Sequence, residues 1–113
     1  MKKVEAFVQP HRLDKVTLAM HHVEGVTGMS VCEVRGWGHG KKLATAQSHA
    51  DQICAFKPHT KVEVVCADAI VEDVIQAIQK AAHTGLSGDG AIFVCNIEQV
   101  VRISTGERGL DTM

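Results

Sequence analysis

Apolar residues follow two rhythms along this chain. Val4 to Gln9 is an apolar run closed by Pro10 and reads as a strand. From Leu13 the spacing changes, because Leu13, Val16, Ala19, Met20 and Val23 recur at helical intervals with Lys15 and His22 toward the polar side. Glu24-Gly25 ends that helix. Ser30 to Arg35 returns to β-branched strand chemistry, and Lys61 to Cys66 does so again. Asp68 stands where its carboxylate would cap a second helix from Ile70 to His83. Its stripe is Ile70, Val71, Val74, Ile75 and Ile78, with Glu72, Asp73, Gln76 and Lys80 left wet. Thr84-Gly85 stops the helix, Leu86 to Gly90 is turn chemistry, and Ala91 to Asn96 reads as a buried fourth strand. Val100 to Ile103 adds a short fifth strand, and the tail from Gly106 to Met113 is expected to be loose.

Between the second and third strands, Gly36 to Thr60 shows no clear period. A connection that long in a small domain is functional or disordered far more often than it is mere linkage. It opens on Gly36-Trp37-Gly38-His39-Gly40, closes at Lys57-Pro58-His59, and has a polar, alanine-rich tip from Leu43 to Ile53. We read it as the working loop. The whole pattern is β-α-β, long loop, β-α-β, which predicts an α+β ferredoxin-like sandwich: an antiparallel four-stranded sheet with both helices on one face. The apolar content of the strands leaves the other sheet face needing cover, so a closed cyclic self-assembly is expected.

Composition narrows the function classes. A chain of 113 residues is one domain with a single core. Twelve basic against thirteen acidic side chains, with no basic cluster, lack the footprint of a nucleic-acid binder. Met1 to Glu5 lack the long apolar stretch of a signal peptide and no run of eighteen apolar residues occurs, so insertion into a membrane is not expected and the cytoplasm is the expected location. Cys32, Cys66 and Cys95 fall in strand-like runs and are expected to act as small buried hydrophobes, whereas Cys54 lies in the loop. No nucleophile and base stand at a recognisable catalytic spacing, so catalysis, nucleotide hydrolysis included, is not expected.

Several unlinked motifs agree on one resemblance. Thr27-Gly28-Met29-Ser30, Glu33-Val34-Arg35-Gly36-Trp37-Gly38, Thr84 to Val94 and Val101 to Glu107 together resemble the PII nitrogen-regulatory signal proteins, in order and spacing, over nearly the whole chain. The resemblance implies a homotrimer, adenine nucleotides (ATP, ADP or AMP) in clefts between subunits, and control of a target enzyme or membrane transporter by loop docking. Carried over residue by residue, it places the nucleotide against Gly28, Ser30, Gly36, Gly38, Val65, Gly88, Asp89, Gly90 and Arg102. It places the docking surface at Trp37, Leu43, Gln52 and Ile53. The glycines fit on physical grounds, because backbone N–H groups in Gly36-Trp37-Gly38 and Gly88-Asp89-Gly90 can approach phosphates closely, and Arg102 can pair with one bidentately.

Charge is where the chain departs from that family. A basic residue after the Gly-Asp-Gly turn is replaced by Ala91, a second arginine after Arg102 by Ser104, the lysine after the loop proline by His59, and an Arg-Gln pair by His39-Gly40. If each charge-assisted contact is worth ~1.5–3 kcal/mol, losing three weakens nucleotide binding by several powers of ten. The loss of the glutamine at Gly40 and of the lysine at His59 makes 2-oxoglutarate sensing unexpected, and with no tyrosine in the chain the family's tyrosine modification is excluded, Gln52 standing at that place. Seven histidines, with His39, His49, Cys54 and His59 in or beside the loop, leave three readings open. They are solvated side chains, weak phosphate partners, or a zinc or copper site on His39 and His59 in a metal-responsive protein that serves metal efflux.

Overall fold

The computed structural model describes residues 1–37 and 56–109. Six elements follow in order: β1 (Lys2–Val8), α1 (Leu13–His22), β2 (Ser30–Gly36), β3 (Lys57–Cys66), α2 (Val71–Ala82) and β4 (Ala91–Asn96). Short 3-10 turns, Pro10–Arg12 and Asp68–Ile70, lead into the two helices. The strands form one antiparallel sheet in the order β2-β3-β1-β4. That order is the ferredoxin-like arrangement read from the sequence.

The core shows why alternation and helical spacing gave the same answer. Val4, Ala6 and Val8 on β1 and Val62, Val64 and Cys66 on β3 point to one face, and α1 supplies Val16 and Met20 while α2 supplies Val74, Ile78 and Ala82. Both helices therefore cover the same side. Val4, Val8, Val16, Val62, Val64, Val74 and Ile78 are almost fully buried, and each such side chain contributes ~1.5–3 kcal/mol of burial free energy.

The opposite face is not simply apolar. Its central positions are Lys3 and Glu5 on β1 and Lys61 and Glu63 on β3, with Phe7 and Phe93 packed edge to face at its β4 side. Glu5 lies directly across from Glu63. Two like charges in that register repel, and Lys3 at 3.7 Å from Glu5 and Lys61 at 3.3 Å from Glu63 offset the repulsion. Register parity also corrects the reading of the cysteines. Cys32 pairs with Lys61 and Cys95 with Lys3, which puts both on this open face where they are exposed; Cys66 alone of the three is buried. Burial raises the Cys66 thiol above its ordinary pKa.

Other boundaries differ for local reasons. β3 starts at Lys57, so Pro58 and His59 belong to the strand and not to the loop. Among the described residues only β2 is alongside Pro58, through Arg35, because the pairing with β1 ends at Thr60. A proline is tolerated there because no second neighbour needs its missing N–H. Asp68 does not cap α2: it opens the 3-10 turn, and its carboxylate pairs with the Met1 amino group at 2.7 Å, which lowers its pKa. The expected fifth strand reduces to one bridge between Val101 and Arg108. The start of the tail is tied down rather than loose, because Arg102 N–H donates to Glu107, Gly106 N–H to Arg102 and Gly109 N–H to Val100. The expectations for Gly38, His39, Gly40, Leu43, His49, Gln52, Ile53 and Cys54 lie outside the described residues.

Candidate functional site

The turn between α2 and β4 is built by one carboxylate. Helix α2 gives out at His83, whose backbone is extended, and Gly85 follows with φ +80. Asp89 then accepts from the Thr84 backbone N–H at 3.0 Å and from the Thr84 hydroxyl, while the same hydroxyl oxygen accepts from Leu86 N–H. His83 Nδ1 stands 3.4 Å from Asp89 Oδ2, the oxygen that accepts from the Thr84 backbone. The Thr84 hydroxyl, then the Thr84 backbone, hold the Asp89 carboxyl below the usual carboxylate range; burial opposes them. This carboxylate shapes the loop.

Two further contacts press the turn onto β1. The Gln9 side-chain amide donates to the Gly88 carbonyl. Gly90 has φ +96, and a Cβ built there would lie 1.7 Å from the Phe7 carbonyl oxygen. Only glycine fits such an approach. Gly88 and Gly90 were legible as a glycine turn. The partners that hold them, Phe7, Gln9, His83 and Thr84, were not assigned, and the Thr84 to Asp89 spacing was the available signal for one of them.

The carried-over residues fall into two groups. Gly36 ends β2 opposite Lys57, and Gly88 to Gly90 precede Ala91, which pairs with Phe7; both places lie at the Val8 end of the sheet. Val65 pairs with Lys3 toward the other end, and Ser30, opposite Glu63, begins β2 in that direction with exposed Gly28 before it. Arg102 lies on the segment that leaves the same end, where Ile97 N–H binds the Met1 carbonyl. From Lys57 to Val65 along β3 the separation is roughly 25 Å at ~3.3 Å per residue. One copy of the fold does not gather the set.

Beyond Thr60 the sheet narrows to a two-stranded ribbon, Val34–Gly36 against Lys57–His59. Trp37 and Phe56, each close to half exposed, stand at its end. His59 pairs with Val34, and its Nδ1 lies 3.4 Å from the Lys57 carbonyl. His39 lies outside the described residues, and among the described residues no group of three or more His, Cys, Asp or Glu side chains is placed to hold a metal. No helix among them is long and apolar enough to cross a membrane.

The family model for nitrogen regulatory protein P-II matches residues 1–107. The chain is 48% identical to the nitrogen regulatory protein P-II of Azospirillum brasilense and 48% identical to that of Rhizobium meliloti (strain 1021), over the full length of each. A relative of the same name from Pasteurella multocida is 43% identical over its full length. With the sheet order, the glycine turn and the projecting ribbon in place, a match this long assigns the chain to the nitrogen regulatory protein P-II family of signal-transduction regulators.

Proposed function

We propose that the whole chain acts as one domain of a homotrimeric, non-catalytic relay, with a small adenine-type ligand as input and the segment beyond Gly36 and Lys57 as output. The observation that carries the reading is positional. The 84–90 turn and the ribbon leave the sheet at the same end, at strands β4 and β3, which flank β1 and so lie about 10 Å apart. A ligand against the turn would therefore bear on the base of the arm. The split of candidate residues between opposite ends of the sheet supports a ring, in which Gly36 and Gly88 to Gly90 of one copy face Gly28, Ser30, Val65 and Arg102 of the next.

Trp37 and Phe56 at the ribbon's end suit docking on a target enzyme or membrane transporter, since aromatic side chains supply large contact area at low entropic cost. The 2-oxoglutarate input is left out of this reading, because Gly40 has no side chain and His59 replaces a lysine. Two measurements test it together: mass in solution, and protease cleavage between Trp37 and Phe56 with and without ATP, ADP or AMP. We expect a trimer whose cleavage in that segment changes when ligand binds. A monomer, or a trimer that binds ligand with unchanged cleavage, removes the proposed coupling.

A further inference from the structure

Two large apolar side chains stand out into solvent from closed turns. Leu86 is 76% exposed and Ile103 99%, the highest values for large apolar side chains among the described residues. Leu86 belongs to the 84–90 turn, where its N–H donates to the Thr84 hydroxyl at 3.1 Å and Gly90 lies against Phe7. Ile103 tops the loop from Val100 to Gly109, which is shut by the bridge between Val101 and Arg108 and by Gly109 N–H donating to the Val100 carbonyl at 3.0 Å. Inside that loop Arg102 N–H donates to Glu107 at 2.9 Å, and Glu107 N–H to the Thr105 hydroxyl at 3.2 Å.

One exposed aliphatic residue is ordinary on a protein surface. Two held on closed turns are different, because little freedom is left to lose when they are covered. Neither turn needs its apolar side chain for its own closure, since the bonds that shut them run through backbone groups and the Thr84, Asp89 and Thr105 side chains.

Their places in the fold decide what can cover them. The 84–90 turn lies at the Val8 end of the sheet, and the 100–109 loop follows the opposite end, where Ile97 N–H binds the Met1 carbonyl. So high an exposure means that the two do not touch within one copy. Asp89 is the charged side chain of residues 84–90, whereas Arg102 and Arg108 outnumber Glu107 on the loop. Arg102, next to Ile103, has no ion pair among the described residues. One end is thus acidic and the other basic, each with an aliphatic knob. Opposite ends attract and like ends repel, which selects head-to-tail contact. Such a contact between unlike patches repeats from copy to copy and closes into a ring where the rotation allows.

We propose that Leu86 of one copy packs against Ile103 of the next, with Arg102 brought to the Asp89 side of the turn, as an apolar contact that joins successive copies. The proposal rests on the trimeric ring above and adds the pair of residues that seals it.

Light scattering of the full-length protein at a series of concentrations tests this contact. Leu86→Glu and Ile103→Lys should each raise the concentration of half-dissociation at least tenfold, because a charge replaces an apolar partner. The double variant should return to within threefold of the unaltered protein, because the new charges then face each other. The two positions lie at opposite ends of one copy, so recovery reports a contact between copies. Leu86→Ala and Ile103→Ala, which bring no charge, should each raise that concentration at least threefold and give the reading if a charged variant loses its circular dichroism. An unaltered protein that is a trimer, with single variants that dissociate no more readily, overturns the contact and leaves the trimer standing. So does a double variant that stays as weak as the singles. A monomer at every concentration overturns the contact together with the ring on which it rests.

Discussion

Gly85 and Gly90 both have positive φ, at +80 and +96, yet they are not equivalent. Nothing lies within 4 Å of a Cβ built on Gly85, whereas at Gly90 the Phe7 carbonyl blocks the position outright. An alanine at residue 85 should therefore cost only the left-handed backbone penalty, ~1–2 kcal/mol. An alanine at residue 90 should cost ~3 kcal/mol or more, because the turn must also lift from β1. Thermal unfolding of Gly85→Ala and Gly90→Ala checks the difference, and equal losses would show that the close approach is not part of the folded state. This contrast marks how far residues could be read in the sequence. Gly88-Asp89-Gly90 announces a turn, since local conformational demands select its residues. Which glycine is pinned depends on a carbonyl more than eighty positions earlier, at Phe7, and no local pattern carries that.

Elements were legible where one physical rule dominated. The α2 stripe predicted from Val74, Ile75 and Ile78 is the buried stripe found, with Val74 and Ile78 at 0% exposure and Ile75 half-buried. Boundaries failed where two rules competed, as at Pro58, whose missing N–H argues against a strand until the absence of a second neighbour is known, and at Asp68, where an ion pair with Met1 replaces the cap. Helix α1 offers a direct comparison with α2. Leu18 is 60% exposed, although a leucine there looks like core by composition alone. Ile78→Ala should cost ~2–5 kcal/mol, by lost transfer and residual cavity, and Leu18→Ala less than ~0.5 kcal/mol. Chemical denaturation of the two variants measures this. A large loss at Leu18 would mean that something besides the described residues, a second copy in solution above all, covers it, because nothing among the described residues does.

At the scale of the molecule the open sheet face is the surface on which the proposed ring is expected to depend. An apolar face would favour association in any register, but this one interleaves Lys3, Glu5, Lys61 and Glu63 with the Phe7–Phe93 pair, whose ring centroids are 6.1 Å apart. Each lysine–glutamate pair carries no net charge, and the hydrogen bond to Glu63 is the main cause that raises the Lys61 pKa above its ordinary value. On the proposed ring the charges would limit the orientations in which copies can meet, while Phe93, 53% exposed at the β4 side, would supply apolar area for the contact. Phe93→Glu adds a third carboxylate directly across from Glu5 and removes that area. On the proposed ring, this variant should shift the mass in solution from three chains toward one while its circular dichroism stays that of the unaltered protein, because the core lies on the other face. Light scattering at several concentrations reads the shift. If Phe93→Glu remains a trimer, the copies meet elsewhere, and the residues at the two ends of the sheet have to be brought together by some other surface.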